Sequence, residues 1–390
     1  MTGCYPRRVN LHTDAKGGAV LRPVSPKGLH PQEITVAELL RQAGYATALI
    51  GKWHLGDQPE FLPTRQGFDY YLGIPYSDDM TKRKGQPWPA LPLMENETVI
   101  EAPVDRNLLT KRYTEKVVEF IGQNKKRPFF VFLSHAMPGS TREPFAGKAF
   151  RGKSANGAYG DSVEEIDWST GEILAALKKW DLDDNTLVIW TSDNGAPRRN
   201  PPQGSNLPLS GWGYGVSEGG MRVPCVMRWP GKIPAGTVCD EVSATIDLLP
   251  TFTKLAGTNP PKDRIIDGKN ILPLMMAKKG AKSPHQAYFY YDGEQLQAVR
   301  SGKWKLYLPL ETQVIRGKSV VANTPAKLFD LDVDQKESNN LADKQPKVVA
   351  RLQKYALDIR KDLGDWKSPG ANQRPAGWHK NPTPRVLPNP

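Results

Sequence analysis

Apolar and polar positions recur along this chain in two periods that take turns. In ITVAELLRQAGY, Ile34, Val36, Leu39 and Leu40 fall at helical spacing and Gly44 supplies a stop, after which ATALIGKWH runs as a short apolar strand with a polar end. NLLTKRYTEKVVEFIGQN reads as a second amphipathic helix, and RPFFVFLSHAMPG as a strand with a polar exit. DSVEEIDWSTGEILAALKKWDL predicts a helix of about five turns. TLVIWTSDNG is an unbroken apolar strand closing on Asp-Asn-Gly, VPCVMRWPG is another strand, and SATIDLLPTFTKLAG is a helix that must accommodate Pro250. Helices alternating with unbroken apolar strands predict an α/β fold whose mostly parallel sheet is sandwiched by helices.

After about residue 280 the texture changes. AYFYYDGEQLQAVRSGKWKLYLPL and AKLFDLDVD carry strands broken by turn signals, and PKVVARLQKYALDIRKDL is a last amphipathic helix. These predict a small C-terminal antiparallel sheet backed by one helix. The expected organisation is a main domain over residues 1–278, an α+β subdomain over 279–367, and a Pro-, Asn- and Gly-rich extended or disordered tail over 368–390. Residues 57–92 read as a long loop of the functional kind.

The chain has 390 residues, 38% hydrophobic and 24% charged, within the range of a globular protein with a substantial core. No run of about eighteen apolar residues occurs, so no membrane span is predicted. A net charge of +12 favours anionic partners. Nucleic acid fits poorly, because the sequence has no zinc-finger spacing, no aromatic RNA-binding motif and no long Lys/Arg block. A sulfated or phosphorylated substrate accounts for the charge equally well. Cys4, Cys225 and Cys239 are too scattered for a metal motif, and Cys225 in VPCVMRW reads as a buried strand residue.

Ligands of open α/β sheets bind at the carboxyl ends of strands, which singles out the polar strand exits. Lys52 and His54 lie two apart on an extended segment and so share a side, with Trp53 opposite. A cation beside an imidazole suits an oxyanion substrate, with the His able to donate a proton to a leaving oxygen, although the pair also fits a solvated strand exit. Asp193 and Asn194 offer adjacent hard oxygens suited to Ca²⁺ or Mg²⁺ rather than zinc, and equally suit an Asx turn before Gly195. His135, at the third exit, is either a substrate ligand or general acid, or a structural histidine. In Ser217-Glu218-Gly219-Gly220-Met221-Arg222, the glycines allow close backbone approach and Arg222 can clamp an anion.

Taken in order, GYATALIGKWHLG, FLPTRQGFDYYLGIPYSDD, VIWTSDNGAP, SEGGMRVPCVMRWPGKIPAG and ATIDLLPTFTKLAG resemble the sulfatase family, in its arylsulfatase A and N-acetylgalactosamine-6-sulfatase branch. RSGKWKLYL with KLFDLDVDQKESNNLA is similar to the family's C-terminal subdomain, so the resemblance covers nearly the whole chain. It implies an alkaline-phosphatase-like fold, hydrolysis of sulfate monoesters of sulfated carbohydrates or aryl sulfates, a Ca²⁺ ion (or Mg²⁺), and a formylglycine nucleophile made by a formylglycine-generating enzyme. Lys52 then corresponds to the lysine that bridges sulfate and nucleophile, His54 to the histidine beside it, and Ser77 to a serine of the substrate pocket. Asp193 and Asn194 correspond to two of four metal ligands. The resemblance further implies a periplasmic or extracellular protein. Two positions depart from the family: the leaving-group histidine falls on Gly139 or Glu143, and a second lysine on Gly213. A non-catalytic binder of sulfated glycans and a phosphatase or phosphodiesterase of the same fold are the competing readings.

Cys4-Tyr5-Pro6-Arg7-Arg8 reads C-x-P-x-R, which resembles the family's nucleophile segment C-x-P-S-R. A formylglycine needs a helix behind it, whose N-terminal dipole stabilises negative charge, yet VNLHTDAKGG lacks helical periodicity. Thr2-Gly3-Cys4-Tyr5-Pro6-Arg7-Arg8 instead matches the family's later Thr-Gly-x-Tyr-Pro-x-Arg segment throughout. Cys4 is therefore expected to be a loop residue, and the nucleophile, its arginine, the first strand and two Asp metal ligands are expected upstream of Met1.

Overall fold

The computed structural model describes residues 1–139, 141–200, 202–315, 318–366 and 368–388. The strand predicted from ATALIGKWH forms as β1 (Ala46–Gly51) and is buried along its whole length. Its parallel neighbours are β2 (Tyr70–Gly73) on one side and, across the sheet, β5 (Phe129–Ser134) on the other. Two short antiparallel strands, β3 (Leu93–Glu95) and β4 (Thr98–Glu101), extend the β2 edge, giving the order β4-β3-β2-β1-β5. The sheet is thus mixed, parallel where the predicted helix-strand units build it and antiparallel beyond β2.

Each helix lies where its apolar stripe predicts. The helix α1 (Val36–Gln42) is opened by a capping box in which Thr35 accepts from the Glu38 N–H and Glu38 accepts from the Thr35 N–H. With α4 (Leu248–Leu255) it covers one face of the sheet, through Val36, Leu39, Leu40 and Leu249. Pro250 falls in the first turn of α4, where its missing N–H breaks no helical bond. The other face is covered by α2 (Leu109–Asn124) and α3 (Gly157–Lys179), whose Leu109, Tyr113, Val117, Phe120, Ile121, Ile166 and Leu177 pack on Ala46, Ala48 and Ile50.

The strands β6 (Val188–Thr191) and β7 (Cys225–Arg228) form an antiparallel ribbon of their own. Among the described residues no strand pairs with the outer edge of β5 or with the free edge of β6. Phe132, Trp190 and Val226 are exposed, and so is Cys225, which corrects its reading as a buried strand residue. An apolar run is buried only where something packs on it, and nothing among the described residues covers this face of the ribbon.

The C-terminal sheet has the order β13-β10-β9-β8, from β8 (Tyr288–Asp292), β9 (Gln295–Ser301), β10 (Trp304–Tyr307) and β13 (Lys327–Asp330), all antiparallel. A hairpin of β11 (Leu310–Ile315) and β12 (Lys318–Thr324) projects between β10 and β13. The helix α5 (Pro346–Leu363) buries Leu352, Ala356, Ile359 and Leu363 against Leu296, Val299, Leu306 and Leu328. Each fully buried aliphatic side chain contributes about 1.5–3 kcal/mol.

Two boundaries differ from expectation. The N-terminal segment belongs to both units: Tyr5 joins the C-terminal core, and the buried Arg8 bridges Asp267 (2.6 Å) and Asp362 (2.7 Å). The tail is a strap rather than a free end. Gly377–Trp378 pairs with Lys27–Gly28, Arg374 binds Glu33 at 2.6 Å, and Gln58 bonds Thr383 through both its amide groups. The expected boundary at residue 367 and the last two tail positions lie outside the described residues.

Candidate active site

The GKWH segment leaves β1 pinned between its neighbours. The Lys52 N–H donates to Ser134 O (2.8 Å), the Trp53 N–H to Ile74 O (3.0 Å) and the His54 N–H to Pro75 O (3.1 Å). Gly51 makes this possible. It sits at φ +120°, and a Cβ there would lie 2.0 Å from Ser134 O. The Trp53 indole is buried and donates to Phe61 O at 2.8 Å, while the strand itself has ended at Gly51.

His54 adopts φ +63°, a left-handed conformation that costs about 1–2 kcal/mol for a residue with a Cβ and concentrates at functional positions. Its Nε2 lies 2.8 Å from Leu21 O. A carbonyl can only accept, so the neutral ring carries its proton on Nε2 and presents Nδ1 as an acceptor. Burial, then the Lys52 charge, push its pKa down to about 4, against the smaller opposing influence of the Leu21 bond, Asp79 and Asp193. At neutral pH the ring is therefore uncharged, with Nδ1 as its available acceptor.

Lys52 Nζ lies 3.8 Å from Asp193 Oδ2, which brings the exits of β1 and β6 together. The Asp193-Asn194 segment turns with the Asn194 N–H donating to Asp193 Oδ1 (2.9 Å), a bond to the next residue and not the one two residues on that makes an Asx turn. The Asn194 amide donates to Gly195 O (2.8 Å), which leaves its carbonyl oxygen for a ligand, and Asp193 is largely exposed. Turn and ligand are therefore compatible. Two hard oxygens match Ca²⁺ or Mg²⁺ in type, but among the described residues no group of three or more His, Cys, Asp or Glu side chains completes a metal site.

The remaining candidates separate. Ser77 is buried just beyond β2. Arg222 is exposed beyond the Glu218–Met221 turn, with its N–H on Glu218 O (2.8 Å). His135 does not join Lys52 and His54. Its Nε2 is 3.2 Å from Ser169 Oγ, which bonds Thr114, its ring packs by Tyr113, and burial pushes its pKa down to about 4. Side chains of α2 and α3 thus surround the ring, whose Nδ1 is buried without a hydrogen-bond partner among the described residues. Cys4 is buried in a turn, with its thiol against Thr2 O (3.4 Å) and Ile265 O (3.5 Å) and Arg374 donating to it (3.4 Å). Burial, then Asp267, push the thiol pKa up despite Arg374. No helix begins until Val36, as expected for a loop residue.

The sequence reading missed Asn206. Its side chain accepts from the Ala196 N–H (2.7 Å) and donates to Ala196 O (2.9 Å), clamping the turn after Asn194. A lone Asn in a Pro- and Gly-rich loop carries no pattern that reveals such a partner.

Comparison with known proteins agrees with this architecture. Residues 1–258 match the Sulfatase family, and residues 215–362 match the C-terminal region of N-sulphoglucosamine sulphohydrolase. The steryl-sulfatase of Mus musculus is 33% identical over 87% of this chain and 69% of its own length. The N-acetylgalactosamine-6-sulfatase of Canis lupus familiaris is 38% identical over 72% of this chain, which spans 55% of that relative. The crystal structure of the PsFucS1 sulfatase from Pseudoalteromonas sp. superposes with a TM-score of 0.80 at 26% identity, covering 95% of this chain and 80% of that one. The fold is the alkaline-phosphatase-like α/β fold of sulfate monoester hydrolases. The chain belongs to the sulfatase family. No helix among the described residues is long and apolar enough to cross a membrane.

Proposed function

We propose that this protein hydrolyses the sulfate monoester of a sulfated carbohydrate or an aryl sulfate, with Lys52 and His54 acting on the sulfate group. The observation that carries this reading is the 3.8 Å approach of Lys52 Nζ to Asp193 Oδ2, which gathers a fixed cation, an acceptor imidazole and two hard oxygens at one sheet edge. In the net reaction a sulfate monoester and water give an alcohol and hydrogen sulfate. Lys52 holds a sulfate oxygen and offsets charge that grows there as the ester bond breaks. His54, neutral at working pH, takes a proton at Nδ1 and holds the other on Nε2 against Leu21 O. Asp193 and Asn194 would contribute two ligands to a Ca²⁺ or Mg²⁺ ion, which supplies positive charge beside the sulfate.

The family's formylglycine supplies the nucleophile when present. Cys4 is buried and held by Arg374, and no helix follows it in the chain before Val36, so we do not read it as that residue. On this reading a formylglycine-generating enzyme matures the nucleophile. The working compartment would be periplasmic or extracellular. Lys52→Ala is expected to lower kcat/KM about 100-fold or more on every sulfate ester turned over. A loss confined to one ester would make Lys52 a specificity residue and refute its action on the sulfate itself.

A further inference from the structure

Lys305 is a charged residue at the centre of β10 with no exposed surface. Its ammonium has three N–H donors and three partners: Val216 O (2.8 Å), Glu218 Oε1 (2.9 Å) and Glu337 Oε1 (2.9 Å). The rings of Tyr290 and Tyr307 lie 4.3 and 4.9 Å from it. Glu218 also accepts from the Tyr290 hydroxyl (2.9 Å) and from Arg300 (3.1 Å). Glu337 also accepts from the Tyr307 hydroxyl (2.7 Å), from the Glu218 N–H (3.0 Å) and from the Ser210 hydroxyl. Two cations and two carboxylates balance, and both carboxylates are saturated with donors. Removing one partner of such a cluster leaves an uncompensated buried charge, so its geometry is held firmly.

The cluster joins two parts of the molecule. Tyr290, Arg300, Lys305, Tyr307 and Glu337 belong to the C-terminal unit, whereas Ser210, Val216 and Glu218 belong to the loop after β6. That loop lies directly on the Asp193-Asn194 turn. The Gly195 N–H donates to Gly220 O (3.1 Å), the Gly219 N–H to Ser210 O (2.7 Å) and the Gly213 N–H to Ala196 O (2.9 Å). A Cβ on Gly195 would lie 1.8 Å from Gly219 O, and one on Gly213 would lie 2.1 Å from Gly195 O. Backbone meets backbone with no side chain between them, so displacement of the loop moves the turn.

We propose that Lys305, Glu218 and Glu337 are positioning residues, through which the C-terminal sheet sets the placement of Asp193 and Asn194 at the sulfatase site. The metal-binding consequence rests on the reading of Asp193 and Asn194 as ligands; the positional one does not.

Both are tested with Glu337→Gln, which keeps the side-chain shape but loses the negative charge and one of its two acceptor oxygens, and with Lys305→Met. Amide hydrogen exchange is followed at Gly195 and Gly213, with the β1 amides as reference. Loss of one hydrogen bond's worth of support should speed exchange at these two glycines about five- to tenfold in Glu337→Gln while β1 is unchanged. Calcium titration at a temperature where all variants are folded should show affinity weakened about tenfold. Arg8→Lys, altered in the other ion-pair cluster, should lower the melting temperature without changing either readout. Unchanged exchange at Gly195 and Gly213 in Glu337→Gln, or equal acceleration in Arg8→Lys, overturns the proposal. If Lys305→Met does not fold, Glu337→Gln alone decides. If Asn194→Ala binds calcium as tightly as the wild type, the ligand reading fails, and the exchange data still decide the positional one.

Discussion

Acidification should destabilise this protein steeply between pH 6.5 and 4.5, because three of its six histidines are held neutral in the fold. His54 and His135 have their pKa pushed down to about 4, His135 by burial and His54 by burial and then Lys52; His12 is pushed down to about 3 by burial, then Arg7 and Lys27. The unfolded chain protonates them near the ordinary value of about 6.5. The stabilisation from keeping them neutral is therefore full above about pH 6.5 and is lost as the pH falls toward the folded values. Near pH 5.5 the unfolded state holds almost three more protons than the folded one, a slope of about 3–4 kcal/mol per pH unit. By pH 4 the accumulated loss is of order 5–9 kcal/mol once solvent screening of the partly exposed rings is allowed for, comparable with the whole stability of a typical domain. Urea unfolding midpoints at pH 7, 6, 5 and 4.5 measure the slope, and His135→Gln should flatten it by about a third. A midpoint constant between pH 6.5 and 4.5, or histidine NMR signals that all titrate near 6.5, would refute the reasoning.

Further outcomes follow from the N-terminal segment. Arg8→Met should cost about 3–5 kcal/mol by leaving Asp267 and Asp362 without their shared cation, visible as a lowered melting temperature; a variant as stable as the wild type would show that the pair contributes no net stability. Cys4 should resist a thiol reagent in the native protein while the exposed Cys225 and Cys239 react, with all three reacting in denaturant. Rapid native modification of Cys4, or its recovery as formylglycine, would contradict its placement as a buried turn residue.

Local chemistry determined most of the elements from the sequence alone. The capping box at Thr35 and Glu38, the stripe through Leu352, Ala356, Ile359 and Leu363, and the all-apolar β1 each rest on neighbours within a few residues, so spacing reveals them. The strand exits of β1 and β6 were legible for the same reason, and with them Lys52, His54, Asp193 and Asn194. What a side chain does at such an exit depends on distant partners. His135 resembles His54 in sequence setting, yet α2 and α3 close over it, while Leu21 fixes which nitrogen of His54 is free. Cys225 sits in as apolar a run as β1 but is exposed, with nothing among the described residues covering it. The tail has the composition of a loose end, yet it is bound by Glu33, Gln58 and the Lys27–Gly28 backbone. Lys305 is the extreme case: a lysine in a strand whose period places it without saying that it is buried. Only Glu218 and Glu337, brought in from elements 87 residues before and about 30 after it, supply the charge that lets an ammonium remain inside.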